Sequence, residues 1–431
     1  MRGLVQSGAI RSLGGVGVLV SGQHTKSDGA RTFSPFKADN IFGKVMIPLG
    51  TTAKLTLLGT YNKNRFNQPD KDGATLAQVA LYGKNFSLNN DSNSQTFYGY
   101  NHTQKTTDFE IAHLEGELAS NLRFDNKAYT YSYDNETLSG SDVTLYATAT
   151  PAAIAAANVV LLISGSKTTS FGVPGYTKTN KYRVYGDIPS VRLDFGFGTA
   201  TMGLWLERSN TYRQQRDVNL LTMAPNFAEK AVSLNGVATP ANIKFDQHSH
   251  VTNIQEFAEL AVRPLANLTI TPGFKHVYFK REINADYNQT TRIPQNISGS
   301  WDATLPFLTV NYTATPQLSA SAQYAKGFLA PPISVLYVVN PQLSTVEPQK
   351  STNYQAGIVY HGRNLSLDVD AYYTDFANKF SSFVSLVPGE GTIFINNGHV
   401  IYRGVEGQAT YALDNAGESH LNWWTVRSWI A

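Results

Sequence analysis

The side chains best suited to chemistry in this sequence are arginines and tyrosines set in long polar stretches: Arg31, Arg65, Tyr98, Tyr100, Tyr176, Arg213 and Arg216. Arginine captures a carboxylate through two parallel N–H donors, and arginine and tyrosine both pack on flat rings. Together they suit an anionic, ring-bearing ligand. The plain alternative is that polar links contain Arg and Tyr whatever their role. Covalent chemistry has no comparable candidates. Gly15-Val16-Gly17 and Gly196-Phe197-Gly198 lack the third glycine and the following helix of a phosphate-binding loop. There is no Gly-x-Ser-x-Gly elbow. His248 and His250 offer two metal ligands from one strand face, but no third ligand is evident, and a polar link entering a strand explains them as well. The sequence points to no catalytic residue, no metal site and no cofactor.

Composition narrows what can position such residues. The 431 residues carry 35 basic and 32 acidic side chains, 16% in all, where a soluble domain carries about 25%. Aromatic residues reach 12%. The net charge of +3 gives no basis for a nucleic-acid partner. The absence of cysteine excludes disulfides, thiolate zinc sites and cysteine nucleophiles. No stretch approaches the roughly 20 apolar residues of a membrane helix. The start of the chain does not read as a signal peptide, because the apolar run Val16–Val20 is too short for an h-region.

Periodicity is the strongest signal. Tyr354, Ala356, Ile358 and Tyr360 alternate with Gln355, Gly357, Val359 and His361. After a turn at Gly362-Arg363-Asn364, Leu365, Leu367, Val369, Ala371 and Tyr373 alternate with Ser366, Asp368, Asp370, Tyr372 and Thr374. This is a long hairpin with one apolar face. The unit recurs around turns at Pro48, Asn121, Arg263-Pro264 and Thr315-Pro316-Gln317. About fourteen strands of roughly ten residues result, the length of a tilted membrane-crossing strand. Long polar links separate the hairpins: 22–40, 62–108, 134–180, 209–253, 281–299, 326–351 and 377–399. Short turns alternating with long links are the rhythm of an all-β, transmembrane antiparallel β-barrel in an outer membrane. Tyr61, Tyr278, Tyr312, Tyr324, Tyr360, Tyr373 and Tyr411 then fit aromatic girdles at the lipid boundaries. Asp368 and Asp370 become solvated lumen charge. Pro151–Ile163 reads as a short helix inside a link.

Several segments resemble TonB-dependent outer-membrane receptors. They are Asn180-Lys181-Tyr182-Arg183-Val184-Tyr185-Gly186-Asp187, Gly203-Leu204-Trp205-Leu206-Glu207-Arg208 and Tyr324-Ala325-Lys326-Gly327-Phe328-Leu329-Ala330-Pro331-Pro332. Val346-Glu347-Pro348-Gln349-Lys350-Ser351-Thr352-Asn353-Tyr354-Gln355-Ala356-Gly357 is similar to the family's EPEKS–NYE–G strand opening. Ala371–Lys379 follows at the family spacing, and Gly404-Val405-Glu406-Gly407 looks like its later GVEG strand. Order and spacing over 180–411 carry the resemblance, and residues 1–180 fit more loosely.

The resemblance implies a barrel of about 22 strands with a plugged lumen. It also implies a siderophore-receptor-like transporter of the Gram-negative outer membrane, not an enzyme. Its partners would be outer-membrane lipid, a ferric-siderophore or similar small ligand, and the TonB complex acting through a plug. The expectation is therefore a partial barrel over 1–413, incomplete at both ends and lacking its plug. Residues 414–431 would be an atypical tail, truncated or frameshifted. A passive porin-like channel is the alternative. It shares the alternating strands and would have shorter outer links and no plug.

Overall fold

A computed structural model describes residues 4–140, 173–224, 233–412 and 420–430, apart from a few short stretches within them. Sixteen strands form one sheet in chain order. The first eight are β1 (Leu4–Leu13), β2 (Val16–Ser27), β3 (Phe36–Leu49), β4 (Ala53–Asn67), β5 (His102–Ala119), β6 (Leu122–Gly140), β7 (Pro174–Phe195) and β8 (Gly198–Asn219). The next eight are β9 (Ile243–Leu265), β10 (Leu268–Tyr287), β11 (Gln295–Thr315), β12 (Leu318–Leu329), β13 (Gln349–His361), β14 (Leu365–Ala377), β15 (His399–Ala412) and β16 (His420–Ile430). Each strand pairs antiparallel with the next, and among the described residues β1 and β16 do not pair with each other. No helix of the described residues is long and apolar enough to cross a membrane, which says nothing of strands.

Register fixes two faces. Directly opposed residues share a face, and the chain Leu308↔Tyr324↔Tyr354↔Tyr373 continues the apolar face across β11 to β14. One row nearer the short turns, Val310, Ala322, Ala356, Ala371 and Val405 lie side by side. Farther back in the sheet, Val45, Leu57, Ala112 and Ala128 do the same. The large apolar residues of this face stand exposed, Ile41 at 60%, Met202 at 55% and Ile358 at 56%. Exposure of that kind along a whole sheet face is what a lipid-facing surface requires. All seven girdle tyrosines expected from the sequence fall on it.

The opposite face is polar, and its bulky side chains lie over glycines of the neighbouring strand. Tyr129 of β6 covers Gly186 of β7 so closely that a Cβ there would stand 2.0 Å from the ring. Phe307 does the same over Gly273, at 2.3 Å. These contacts require glycine for close approach rather than for turning.

The strands are longer than the sequence suggests, reaching 23 residues in β9. Consequently the links shrink to 28–35, 68–101, 141–173, 220–242, 288–294, 330–348 and 378–398. Beyond the membrane both faces of a strand are hydrated, so the apolar alternation stops before the pairing does. One turn also moves. Leu265 pairs with Leu268 around Ala266-Asn267, and the expected turn residues Arg263-Pro264 form an irregularity between Val262 and Leu265. A proline fits such a bulge because it lacks the N–H that the ladder needs. Residues 420–430 pair with β15 from His420↔Ala412 to Ile430↔Tyr402, although their sequence shows no long alternation. The expected helix at Pro151–Ile163 lies outside the described residues.

Candidate functional site

The polar face of β5 to β9 carries an aromatic ladder. Tyr129, Tyr131 and Tyr133 recur at period two on β6, so all three project to one side. Ring centroids lie 6.4 Å apart for Tyr129–Tyr131 and 5.3 Å for Tyr133 stacked on Tyr182 of β7. Tyr131 meets Tyr182 edge-on at 6.3 Å. At the foot of the ladder Trp205 Nε1 donates to the Tyr129 hydroxyl at 2.8 Å, and that hydroxyl donates to Glu207 at 2.6 Å. The arrangement presents stacking surfaces with fixed hydrogen-bond directions.

The links at the far end of the strands fold together. Thr32 N donates to Asn85 O at 3.0 Å, and Leu88 N donates to Thr32 O at 3.3 Å. Asn101, 1% exposed, ties 68–101 to β6. Its Nδ2 donates to Gln95 O and Phe97 O, and its Oδ1 accepts from Ser139 Oγ and Gly140 N. A short helix, α1 (Leu76–Tyr82), starts at a reciprocal cap between Thr75 and Gln78. Val173, Val218 and Leu220 form a small core, with Tyr100 and Leu138 against it. A second core joins Ile283 and Ala285 of β10 to Leu336 of a 3₁₀ turn, with Ile333 and Tyr337 alongside.

The seven residues singled out in the sequence divide among these surfaces. Tyr98 stacks on Phe33 at 5.3 Å, and Tyr100 meets Phe97 edge-on at 4.9 Å. Burial pushes the Tyr100 phenol up from its ordinary value. Tyr176 is 5% exposed and donates to Asp70 at 2.7 Å, which Lys178 also holds. Arg213 lies on the polar face, its guanidinium 5.1 Å from the Phe245 ring, and donates to Gln289 at 2.8 Å. Arg65 and Arg216 share the opposite face, Arg65 bonded to Gln104 at 3.0 Å and Arg216 3.5 Å from Asp246. Arg31 is exposed in link 28–35. The structure thus gathers Tyr98 and Tyr100 in one folded link, brings Tyr176 to it through Asp70, and turns Arg65 and Arg216 away.

Metal binding finds no geometry at the two histidines of β9. His248 packs on Tyr212 at 4.7 Å, and His250 is bonded to Asn210 at 2.8 Å. Among the described residues the one group with metal-ligand spacing is His113, Glu115 and Asp125. Its carboxylates are engaged by lysines, Lys54 at 2.6 Å from Glu115 and Lys127 on Asp125. Cations within an acidic group make it an ion network.

The ladder is not among the residues expected from the sequence. Its signal there is the period-two run Tyr129-x-Tyr131-x-Tyr133, which places three rings on one strand face without telling which medium that face meets.

Comparison with known proteins agrees with this geometry. The family model described as TonB dependent receptor-like, beta-barrel matches residues 48–431. The ferric citrate transporter FecA superposes with a TM-score of 0.67 at 16% identity, covering 99% of this chain and 56% of that one. The siderophore receptor PiuA from Acinetobacter baumannii gives 0.63 at 13% identity, with 99% and 62% covered. The copper transporter OprC gives 0.63 at 12%, with 96% and 56% covered. The chain therefore spans little more than half the length of these structures. No curated protein sequence matches it. Apolar belt, polar face and family match agree: the chain belongs to the TonB-dependent receptor-like β-barrel family.

Proposed function

We propose that this barrel serves the uptake of a scarce ligand, a ferric-siderophore, across the outer membrane of a Gram-negative bacterium. The family consists of transporters, not enzymes. The observation that carries the reading is the family match over residues 48–431. The aromatic ladder, the packed links and Arg213 support an anionic, ring-bearing cargo. The likeness to a ferric citrate transporter and a siderophore receptor supports an anionic ferric cargo. Energy would come from the TonB complex through a plug domain, and the polar face would line the lumen.

The experiment is uptake of radiolabelled ferric chelates by cells carrying the whole protein as their sole receptor of this type. Uptake of at least one chelate, lost when TonB is deleted, is the expected result. Leakage of small solutes that is indifferent to TonB would refute the reading and leave a passive channel.

A further inference from the structure

The lipid-facing side of the sheet carries a basic patch directly above its girdle. On β2 to β4, Lys26, Lys37 and Arg65 are opposed in one row, and His24, Asp39 and Lys63 in the next. The row below them holds Ile41 and Tyr61 of the girdle. Directly opposed residues share a face, so the patch belongs to the outer side of the wall and not to the lumen. Lys63 stands two residues beyond Tyr61, about 5 Å farther out for a tilted strand, and Arg65 about 10 Å. The headgroup layer of one leaflet is about 5–8 Å deep. The patch therefore stands at the height of lipid headgroups.

Charge in the patch is unbalanced. Three directly opposed cations repel one another. Asp39 is the one carboxylate in the two rows, bonded to His24 at 2.6 Å and 3.9 Å from Lys37. Arg65 bonds the neutral Gln104, and among the described residues Lys26 and Lys63 meet no carboxylate. Asp108, beside Tyr61, is already held by Arg183 at 2.9 Å. Leaving His24 aside, four cations face one carboxylate, an excess of three positive charges.

Beneath the patch the same face opens into a groove of about 650 Å³, floored by Gly43, Gly59, Ala112 and Ala128. Gly43 and Gly59 follow Ile41 and Tyr61 on their strands, two residues nearer the membrane centre. A Cβ at Gly43 would meet nothing within 4 Å, and at Gly59 nothing nearer than 3.8 Å. The hollow thus comes from missing side chains over a wall that has room for them. Glu110 stands at the rim opposite Gly59, two rows below Lys63 and so about 10 Å beneath the level of the cations.

We propose that patch and groove together hold one lipid of the leaflet at the long-link end, a glycolipid with two phosphate monoesters on its headgroup. The phosphates lie on Lys26, Lys37, Lys63 and Arg65, and an acyl chain fills the groove. A phosphate monoester carries about −1.5 to −2 at pH 7, so two of them match the excess of three, whereas a single phosphodiester is too little. The site is independent of the lumen and of its cargo. It rests on the long links being outside the cell, which surface labelling at Asp91 tests separately.

The test is urea titration of the whole protein, read by unboiled gel mobility, in phosphatidylcholine vesicles with and without one part in ten of diphosphoryl lipid A, monophosphoryl lipid A or phosphatidylglycerol. Diphosphoryl lipid A raises the wild-type midpoint most, monophosphoryl lipid A less, and phosphatidylglycerol least. Lys37→Gln and Arg65→Gln each weaken retention of diphosphoryl lipid A about fivefold, the loss expected for one basic residue at an anionic surface. In plain phosphatidylcholine the same variants are at least as stable as the wild type, because each relieves a like-charge contact. Lys37→Arg keeps the lipid effect. Gly43→Leu fills the groove and lowers the effect without touching the charges. Arg363→Gln, in a turn at the opposite end, changes nothing. An undiminished lipid effect in Lys37→Gln and Arg65→Gln overturns the proposal, and so does a loss of the same size in plain phosphatidylcholine. Equal stabilisation by phosphatidylglycerol, or by inorganic phosphate added to plain vesicles, overturns it as well.

Discussion

Ile358 and Val359 are adjacent in β13 and face opposite media, so one substitution made at both sites tests the assignment of faces. Ile358 is 56% exposed and opposed to Ala320 and Val369 on the apolar side. It lies two residues from Tyr360 and four from Tyr354, hence about 5 Å inside one girdle and about 10 Å inside the other. A lysine at the bilayer midplane costs about 2–4 kcal/mol and near an interface about 0–1. At this depth Ile358→Lys should cost about 2 kcal/mol, roughly a 30-fold shift in the folding equilibrium. Val359 is opposed to Ser319 and Asp368 on the polar side. Val359→Lys brings a cation beside that aspartate and should cost under about 0.5 kcal/mol. The assay is urea titration of the whole protein in lipid vesicles, read by unboiled gel mobility. Equal losses at both positions would refute the two-face reasoning. Leu367→Asp against Ser366→Asp repeats the comparison on β14 with the opposite charge.

Three further outcomes are expected. Epitope tags at Asp91 in link 68–101 should label on intact cells, and tags at Arg363 should label only after the outer membrane is opened; the reverse pattern would invert the topology. Gly186→Ala should destabilise by about 1–3 kcal/mol through its clash with Tyr129, and pairing it with Tyr129→Ala should recover part of the loss in urea titration; strict additivity would show that the contact is not the cause. Asn101→Ala removes four hydrogen bonds that fasten link 68–101, so limited proteolysis should cut that link at least tenfold faster, whereas an unchanged rate would mean that the link is held elsewhere.

The fold was legible wherever one strand face meets lipid and the other meets water. The period of two in Tyr354–Tyr360 and Leu365–Tyr373 gave the hairpin, its register and its outward tyrosines, because those residues sit in the membrane band. Legibility ended at the girdle. Arg65, Arg213 and Arg216 read as link residues because alternation had faded there, yet all three belong to strands. Once a residue is in a strand, parity decides its direction. Arg213 and Arg216 are three positions apart and therefore face opposite sides, a distinction that a loop assignment cannot make. Residues 420–430 illustrate a different limit. Their tryptophans and arginine break the alternation, and the pairing with β15 follows from the neighbouring strand's ladder rather than from a pattern of their own.

The long strands also explain where a site can form. β7 to β10 have 20–23 residues, and a tilted strand needs only about 10 to cross a membrane. About half of each therefore stands beyond the lipid. Ion pairs on its outer side, such as Lys181 with Asp134 at 2.9 Å and Arg216 with Asp246 at 3.5 Å, are partly exposed and contribute about 0–1 kcal/mol each. They do not hold the extension up. What it buries lies at its rim: Val173 and Leu220 pack with Val218, which by parity shares the side of Arg216, while Leu336 closes over Ile283 on the polar side. The links that roof the chamber are thus the same segments that stabilise its walls. Any ligand that repacks the links changes the stability of the wall beneath them. Hydrogen exchange in β7 to β10 beyond Tyr185 and Tyr278 should therefore slow when ligand binds, while exchange within the membrane band stays constant. Slowing confined to the links, with the upper strands unaffected, would separate roof from wall and show that the two cores are not coupled to binding.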